Sequence, residues 1–356
     1  MGEHSRSVFK ALQAAGADVR MVDIYGPEPS ADQVLINSYA EYLSPMLGNG
    51  INIFCINADE VNQAFSVLKD RNLKAPKSRN IIYPAWELSR YPDEWGRILD
   101  DFDEAWAPSR FIAEALKTAT SLPVIHMPLA CEIRERGLVS RRHFGLPDSA
   151  YCFFFAFDFL SYLERKNPYA VLNAFESALD MRPDSDVRLV IKLNNTHRKA
   201  ADFDRFKSHF SKFRDRIILI DGTLSDLEMK ALVWLCDCFV SLHRSEGFGR
   251  GISEAMTLGK PTIATNYSGN LDFCSDETSF LVPCTLVKVG PGQYPHWQDQ
   301  IWADADVKVA AQHMVNLMDN PALGWQKGSR ARQKMMVDFS FLSRGLAYNS
   351  RCEKLK

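Results

Sequence analysis

Short apolar runs alternate with segments of helical periodicity along most of the chain. Runs of about four to eight apolar residues are typical of buried strands, and apolar residues spaced three and four apart are typical of helices. We predict strands at 19–24, 33–36, 51–56, 80–83, 104–107 and 124–127, then at 151–157, 187–193, 217–220, 238–242, 262–265 and 279–282. We predict helices at 6–15, 109–118, 169–179, 201–213, 226–236 and 307–318.

Repeated alternation of strand and helix predicts an α/β protein with doubly wound parallel sheets. A length of 356 residues suits two such domains. Between Pro128 and Ala150 the chain is rich in arginine and polar residues, which indicates a solvated linker, although a basic patch touching a membrane is a second interpretation. We divide the chain into domains at 1–130 and 131–330, with a closing helical region at 331–356. The segment 288–303, rich in glycine, proline and tryptophan, is predicted to be irregular.

The composition is that of an ordinary soluble protein, with 46% apolar residues, 24% charged residues and a net charge of −2. This balance gives no general attraction to nucleic acid. The longest apolar run, Tyr151 to Phe157, is far shorter than the ~20 residues that a membrane helix needs. Eight scattered cysteines without paired spacing predict reduced thiols and a cytoplasmic protein, with peripheral attachment at the inner face of the membrane as a further expectation.

The stretch from Ser241 to Pro261 carries the strongest chemical signal in the chain. Two carboxylates, Glu246 and Glu254, flank a loop with three glycines, which is entered by an apolar run and left by a short helix predicted at 252–258. Glycines let a ligand approach the backbone, and free N–H groups at a helix start favour an anion. We expect Glu254 in the first helical turn, beside that anion. A diphosphate on the amides, with carboxylates binding hydroxyls on either side, describes a nucleotide-sugar.

These residues resemble the paired glutamates of the retaining glycosyltransferases of family 4, also called glycosyl transferases group 1, which have the GT-B fold. Lys166-Asn-Pro168 and the continuation from Lys260 to Asn270 are similar to that family as well, within a resemblance that extends from about Phe153 to Phe339. It implies two Rossmann-like domains facing across a cleft, with the acceptor on the first and the donor on the second. The 331–356 region would then return toward the first domain.

The resemblance also implies transfer of a hexosyl group, of mannose, glucose or rhamnose type, as in bacterial polysaccharide and O-antigen hexosyltransferases. The donor partner would be a GDP-, UDP- or dTDP-sugar, and the acceptor partner a glycan or a lipid-linked glycan. The anomeric configuration would be retained, and neither a metal nor another cofactor would be needed. The Asp-x-Asp triplets of the chain lie in polar segments, where solvated acids are the better interpretation than a manganese site.

Catalytic roles are expected for Glu246 on the transferred sugar and Lys166 on the diphosphate, because charge develops on the departing phosphate. The family usually has an arginine six residues before this lysine, where this chain has Leu160. Arg165, Lys192 and Arg250 are the candidate substitutes, and Lys192 is the preferred one. Arg250 pairing with a surface carboxylate is the alternative. The remaining donor-binding candidates are Gly247, Phe248, Gly249, Gly251 and Glu254 around the loop. Gly222, Thr223 and Leu224 are expected near the nucleobase of the donor.

The acceptor side is expected in the first half, where the sequence after Ile81 is unusually aromatic. Trp86 and Glu87 follow a predicted strand, and Gly2 is the second residue of the chain; all three are assigned to the acceptor side. Tryptophan in the hydrophobic core is the alternative for Trp86. Many family members carry a histidine near here, and Glu87 is our catalytic substitute for it.

The chain opens directly on a helix, whereas the resembled family has a strand and a glycine-rich loop first. We therefore expect a longer native chain with further domains as partners. Two other functions stay open from the sequence. One is a related phosphorylase or epimerase, and the other is a non-catalytic glycan-binding or scaffolding domain of a larger synthase.

Overall fold

The structure is a computed structural model, and it describes residues 2–26, 33–70 and 78–355. Within these residues the chain forms two compact α/β units. The first unit comprises the chain up to Glu132 together with the chain from Val337 onward, and the second unit comprises Ile133–Met336. The return to the first unit therefore begins at Val337, six residues after the start of the 331–356 region to which the sequence analysis assigned it.

The first unit is built on a parallel four-stranded sheet in the order β1-β2-β3-β4. Its strands are β1 (Ile51–Phe54), β2 (Arg79–Ile82), β3 (Glu104–Ala107) and β4 (Val124–His126). Its helices are α1 (Gly2–Ala14), α2 (Gln33–Asn37), α3 (Ala58–Asp70), α4 (Asp93–Leu99), α5 (Arg110–Lys117) and, from the chain end, α13 (Phe341–Glu353). Every residue of β3 is buried, as expected for a central strand of a parallel sheet covered on both faces.

Helix α13 belongs to the first unit because it packs along α1. At their crossing Gly345 lies so close to the carbonyl oxygen of Ala11 that a Cβ atom there would overlap it. Farther along, the Arg351 guanidinium donates to the fully buried carboxylate of Glu104 at 2.5 Å. Close packing at one end of α13 and an ion pair at the other attach the chain terminus to the first sheet.

The second unit holds a parallel six-stranded sheet in the order β10-β9-β8-β5-β6-β7. Its strands are β5 (Tyr151–Asp158), β6 (Val187–Asn194), β7 (Ile217–Asp221), β8 (Cys238–Ser241), β9 (Thr262–Thr265) and β10 (Phe280–Val282). Its helices are α6 (Leu163–Lys166), α7 (Pro168–Met181), α8 (Ala200–His209), α9 (Asp226–Leu235), α10 (Arg250–Thr257), α11 (Val307–Asp319) and all but the last two residues of α12 (Pro321–Asp338).

This strand order is that of a Rossmann sheet, and it changes direction between the neighbouring strands β5 and β8. Strands β6 and β7 follow β5 to one side, and β9 and β10 follow β8 to the other. In open α/β sheets, ligands bind at the carboxyl ends of the strands where the order reverses. The segments after Asp158 and after Ser241 therefore leave the sheet at the expected place for a binding site.

Two predicted strands of the first unit are wrong. Residues 33–36 lie in the helix Gln33–Asn37, because a four-residue apolar run does not by itself distinguish a strand from a helical turn. Residues 19–24 form no strand, and Met21 makes only an isolated bridge to Leu43. The four other strands predicted for the first unit are present with shifted or equal ends.

The segment predicted to be irregular is bounded by a two-stranded antiparallel hairpin, β11 (Cys284–Lys288) and β12 (Ile301–Ala305). Its strands alternate only loosely between buried and exposed positions, so period-two patterning is weak. Each of the eight cysteines is a free thiol. Among the described helices, none has both the length and the apolar character that crossing a bilayer requires.

Candidate functional site

Gly249 and contacts with the turn at 268–269 fix the conformation of the loop between β8 and α10. Gly249 has a φ of 91°, a left-handed conformation that favours glycine, and it immediately precedes α10. The backbone N–H of Glu246 donates to Ser268 Oγ at 2.9 Å, and its carbonyl accepts from the N–H of Gly269 at 2.9 Å. A Cβ atom at Gly269 would overlap the carbonyl of Gly247, so the turn packs directly on the loop. These contacts fix the backbone on which the Glu246 carboxylate is carried.

The side chain of Glu246 meets two cations that arrive from the neighbouring β5 side. Its Oε1 atom lies 2.5 Å from Lys166 Nζ and 3.2 Å from Arg165 Nη1. Burial alone would raise the pKa of the carboxyl, but the charges of Lys166 and Arg165 outweigh it and bring the pKa to about 2. Glu246 is therefore an ionised carboxylate at neutral pH, and an ionised carboxylate only accepts hydrogen bonds.

The two cations differ in how far they reach toward solvent. The Lys166 side chain is 22% exposed, whereas the Arg165 side chain is 6% exposed and also donates to the carbonyl of Ser245 at 3.2 Å. Arg165 therefore supports the loop from beneath. Lys166 is the better placed of the two to contact a ligand.

Main-chain and amide contacts connect the segments that follow β5 and β8. Asn167 has a φ of 51° and donates from Nδ2 to the carbonyl of Leu242 at 3.0 Å. The backbone N–H of Arg244 donates to the carbonyl of Arg165 at 2.8 Å. The carboxylate and its cations thus lie on two loops that are hydrogen-bonded to each other, which is the rigid support that a preorganised site needs.

His243 is a functional-site residue that the sequence argument missed. It is fully buried, and its Nε2 faces the carbonyl of Tyr267 at 3.3 Å and Asn270 Oδ1 at 3.1 Å. Two acceptors assign the ring proton to Nε2, so Nδ1 accepts from Ser241 Oγ at 3.0 Å. Burial lowers the pKa of the imidazole although Glu246 opposes that shift, which leaves a neutral ring. Its position two residues after β8, beside the glycine-rich loop, was the only available signal.

Lys192, the preferred second cation from the sequence, has another structural role. Its Nζ donates to the carbonyls of Leu193 at 2.8 Å and Gly222 at 2.5 Å, and to Asn194 Oδ1 at 2.7 Å. An ammonium has three donors, and all three meet these oxygens. Burial also lowers the pKa of Lys192. The side chain thus joins the end of β6 to the loop after β7, where Gly222, Thr223 and Leu224 lie.

Residues 160–288 match the protein family described as "Glycosyl transferases group 1". The chain also resembles solved structures over most of its length. Sucrose-phosphate synthase from Thermosynechococcus elongatus aligns with a TM-score of 0.66 at 15% identity over 99% of this chain and 92% of that one. A glycosyltransferase from Rickettsia africae aligns with a TM-score of 0.66 at 13% identity over 98% and 94%.

Anabaena HepE in complex with UDP and glucose aligns with a TM-score of 0.63 at 13% identity over 82% of this chain and 76% of that one. No curated protein sequence matches the chain significantly. The fold is that of the GT-B glycosyltransferases. The family match spans the β5 and β8 loops and therefore contains Arg165, Lys166, Glu246 and Glu254.

Helix α10 of this GT-B fold begins at Arg250, two residues earlier than predicted. Glu254 is therefore its fifth residue, so the expectation of an acid in the first turn was wrong. The left-handed turn at Gly249 ends the glycine-rich loop, so the helix begins at the next residue instead of two residues later. Glu254 is half-buried. Arg250 occupies the first helical position and is also half-buried.

The other loop residues are largely buried and contribute packing or backbone conformation. Phe248 is 6% exposed and packs on Phe273 with ring centroids 5.2 Å apart. Gly251 lies on α10, where a Cβ atom would meet the ring of Phe239 at 3.1 Å. Phe248 thus anchors the loop, whereas Gly249 supplies its left-handed turn.

The acceptor-side candidates all lie in the first unit. Trp86 is 3% exposed, donates from Nε1 to the carbonyl of Arg90 at 2.9 Å, and packs against Tyr91 and Trp95. These contacts favour the core alternative for Trp86. Glu87 is half-buried, and Gly2 is the exposed first residue of α1.

Proposed function

We propose that the protein is a retaining hexosyltransferase. It transfers a hexose of glucose, mannose or rhamnose type from a nucleotide diphosphate sugar to a glycan or lipid-linked glycan in the synthesis of bacterial surface polysaccharide. The observation that carries the proposal is the Glu246 carboxylate, fixed by Lys166 and Arg165 where a Rossmann sheet reverses its strand order. The group 1 family match over the same residues supports it.

The charge balance of the site suits a diphosphate. Two cations and one carboxylate leave an excess positive charge, and the neutral ring of His243 does not change it. The N-terminal end of α10 adds backbone N–H groups and a partial positive charge. In sugar transfer, negative charge grows on the departing phosphate, and donors placed in advance stabilise that charge. We assign the diphosphate to Lys166 and to the backbone of the loop from Gly247 to Arg250.

Glu246 would accept hydrogen bonds from hydroxyls of the transferred sugar, since it stays ionised and offers only acceptors. Glu254, four residues into α10, would bind the ribose hydroxyls. The loop of Gly222, Thr223 and Leu224 would contact the base. HepE is described with UDP and glucose, so a UDP-sugar is the first donor to test, ahead of GDP- and dTDP-sugars.

The reaction we propose proceeds on one face of the sugar. The bond between the anomeric carbon and the phosphate oxygen breaks, and its electron pair leaves with the nucleoside diphosphate. The acceptor hydroxyl oxygen bonds to the same carbon from the same face, and its proton passes to the departing phosphate oxygen. This step needs neither a protein base nor a metal. Eight free thiols suit the reducing cytoplasm, where we place the reaction, either free or at the inner face of the membrane.

The first test is a thermal-shift panel of UDP-, GDP- and dTDP-sugars. A donor at a hundred times its Kd stabilises the folded state by about 2.7 kcal/mol, which raises the Tm of a unit this size by roughly 5–10 °C. The second test is transfer to sugar acceptors with the stabilising donor. We expect Glu246→Ala to lower kcat by at least about 100-fold, and the exposed Glu277→Ala in the same unit to act like wild type.

Wild-type turnover by Glu246→Ala would refute its assignment. Donor binding without transfer or hydrolysis by the wild type would support the scaffolding alternative instead. Isomerised donor, or donor cleavage that requires phosphate, would identify an epimerase or a phosphorylase.

A further inference from the structure

Tyr162 is a strained, partly exposed aromatic residue at the start of the turn that carries the two cations. Its φ is 62°, in the left-handed region that non-glycine residues seldom adopt, and its side chain is 41% exposed. Its carbonyl accepts the backbone N–H groups of Arg165 at 3.0 Å and Lys166 at 3.2 Å. Backbone strain of this kind is concentrated at ligand-binding sites.

The ring of Tyr162 is supported by the β11–β12 hairpin. Tyr294, in the loop that joins the two strands, lies with its ring centroid 4.7 Å from that of Tyr162 at an interplanar angle of 54°. Tyr294 itself is 6% exposed, so it acts as a backing residue and Tyr162 as the exposed one.

The middle of strand β12 contacts the loop that carries Glu246. The N–H of Ala303 donates to the carbonyl of Arg244 at 2.9 Å, and the Arg244 guanidinium lies 3.3 Å from Asp304 and over the ring of Trp302. Arg244 is two residues before Glu246. The hairpin therefore contacts both loops of the site, one through strand β12 and the other through Tyr294.

We propose that Tyr162, backed by Tyr294, is a specificity-determining residue that stacks on the C–H face of a pyranose ring. The proposal rests on the proposed function. Tyrosine has an apolar face for sugar C–H groups and a hydroxyl for a neighbouring sugar hydroxyl. The position of Tyr162 after β5 favours a sugar rather than the nucleobase as the ring that it contacts, because the loop assigned to the nucleobase follows β7. That strand is two away in the sheet, or about 10 Å at the usual strand spacing.

The pyranose ring belongs to the donor or to the acceptor, and two measurements distinguish the sources. Titration calorimetry compares UDP with UDP-glucose, or the matching pair for whichever donor stabilises the chain. Initial rates give KM for a panel of nitrophenyl hexoside acceptors. The variants are Tyr162→Ala, Tyr162→Phe and Tyr294→Ala, and the control is Trp325→Ala, an aromatic residue of the same unit that is 70% exposed.

For Tyr162→Ala we expect about a 3- to 10-fold loss, either in donor-sugar affinity relative to the bare nucleotide or as a rise in acceptor KM. Tyr162→Phe keeps the ring and should lie within twofold of wild type, while Tyr294→Ala should follow Tyr162→Ala. Affinity for the bare nucleotide should not change, which separates lost stacking from a damaged fold.

Wild-type values for Tyr162→Ala in both assays overturn this inference and leave the proposed function intact. An equal loss of affinity for the bare nucleotide and for the nucleotide-sugar also overturns it, because Tyr162 would then act through the turn that carries Arg165 and Lys166. A wild-type chain with neither donor binding nor transfer overturns the proposed function and this inference together.

Discussion

Replacing Lys166 by methionine should destabilise the fold and change how stability depends on pH. The variant removes the 2.5 Å contact with Glu246 but leaves Arg165 beside the carboxylate. With one cation fewer to oppose the effect of burial, the pKa of Glu246 should rise above its wild-type value. Removing one partner of a buried ion pair generally costs about 3–5 kcal/mol. Because one cation remains, we expect a loss of about 2–3 kcal/mol in the free energy of unfolding at pH 7.

The pH dependence follows from the sign of the wild-type pKa shift. The pKa of Glu246 falls from an ordinary 4.5 to about 2 on folding. At about 1.36 kcal/mol per pH unit, ionisation of Glu246 contributes about 3 kcal/mol of stability. A lowered carboxyl pKa stabilises fully above pH 4.5, and the contribution disappears as the pH falls toward 2. In Lys166→Met the folded-state pKa is higher, so less stability is available to lose over that range.

Urea unfolding followed by circular dichroism, with hydrogen exchange of second-unit peptides, measures both effects. Lys212→Met, an exposed lysine of the same unit, is the matched control and should stay within about 0.5 kcal/mol of wild type. In a Glu246→Gln background, Lys166→Met should cost much less than in wild type. A cost below 0.5 kcal/mol at pH 7, with an unchanged slope between pH 4.5 and 2, would refute the reasoning.

Two further predictions concern the attachment of α13 in the first unit. Gly345→Ala gains about 1 kcal/mol of helix propensity, but its methyl group overlaps the carbonyl of Ala11, so we expect a net loss of about 2 kcal/mol in the free energy of unfolding measured in urea. The control Gly50→Ala places a methyl group in open space and should be neutral. Equal stabilities of the two variants would contradict the close packing. Arg351→Met leaves the buried Glu104 carboxylate without its cation and should cost about 3 kcal/mol, most of it recovered when Glu104→Gln is added. A double variant as unstable as Arg351→Met alone would show that the charge is not the cause.

The sequence indicated that Lys166 and Glu246 lie at the same edge of a sheet, but it did not show that they are neighbours. Each follows a buried apolar strand, and the carboxyl ends of parallel strands lie on the same edge of a sheet. Strand order was the missing information, since only the adjacency of β5 and β8 brings the two residues together. The six strands of the parallel sheet in the second unit were predictable because each is a distinct apolar run between helical segments, whereas β11 and β12 were not predicted.

Other features depend on contacts that a single sequence does not reveal. Lys192 lies near the end of one predicted strand and Lys166 follows another. Three nearby oxygens accept hydrogen bonds from Lys192, whereas Lys166 meets a buried carboxylate. His243 is recognisable only from its burial and its partners. The β11–β12 hairpin is stabilised by its contacts with Arg244, and Arg244 is distant from the hairpin in sequence.

The central claim is that the loops after β5 and β8 bind the diphosphate of an activated sugar. The most direct measurement is a crystal structure of the chain grown with the donor that stabilises it most. We predict the diphosphate within hydrogen-bonding distance of Lys166 Nζ and of backbone N–H groups between Gly247 and Arg250, with sugar hydroxyls on Glu246. A diphosphate bound elsewhere on the chain, with the Lys166–Glu246 pair untouched, would contradict the account.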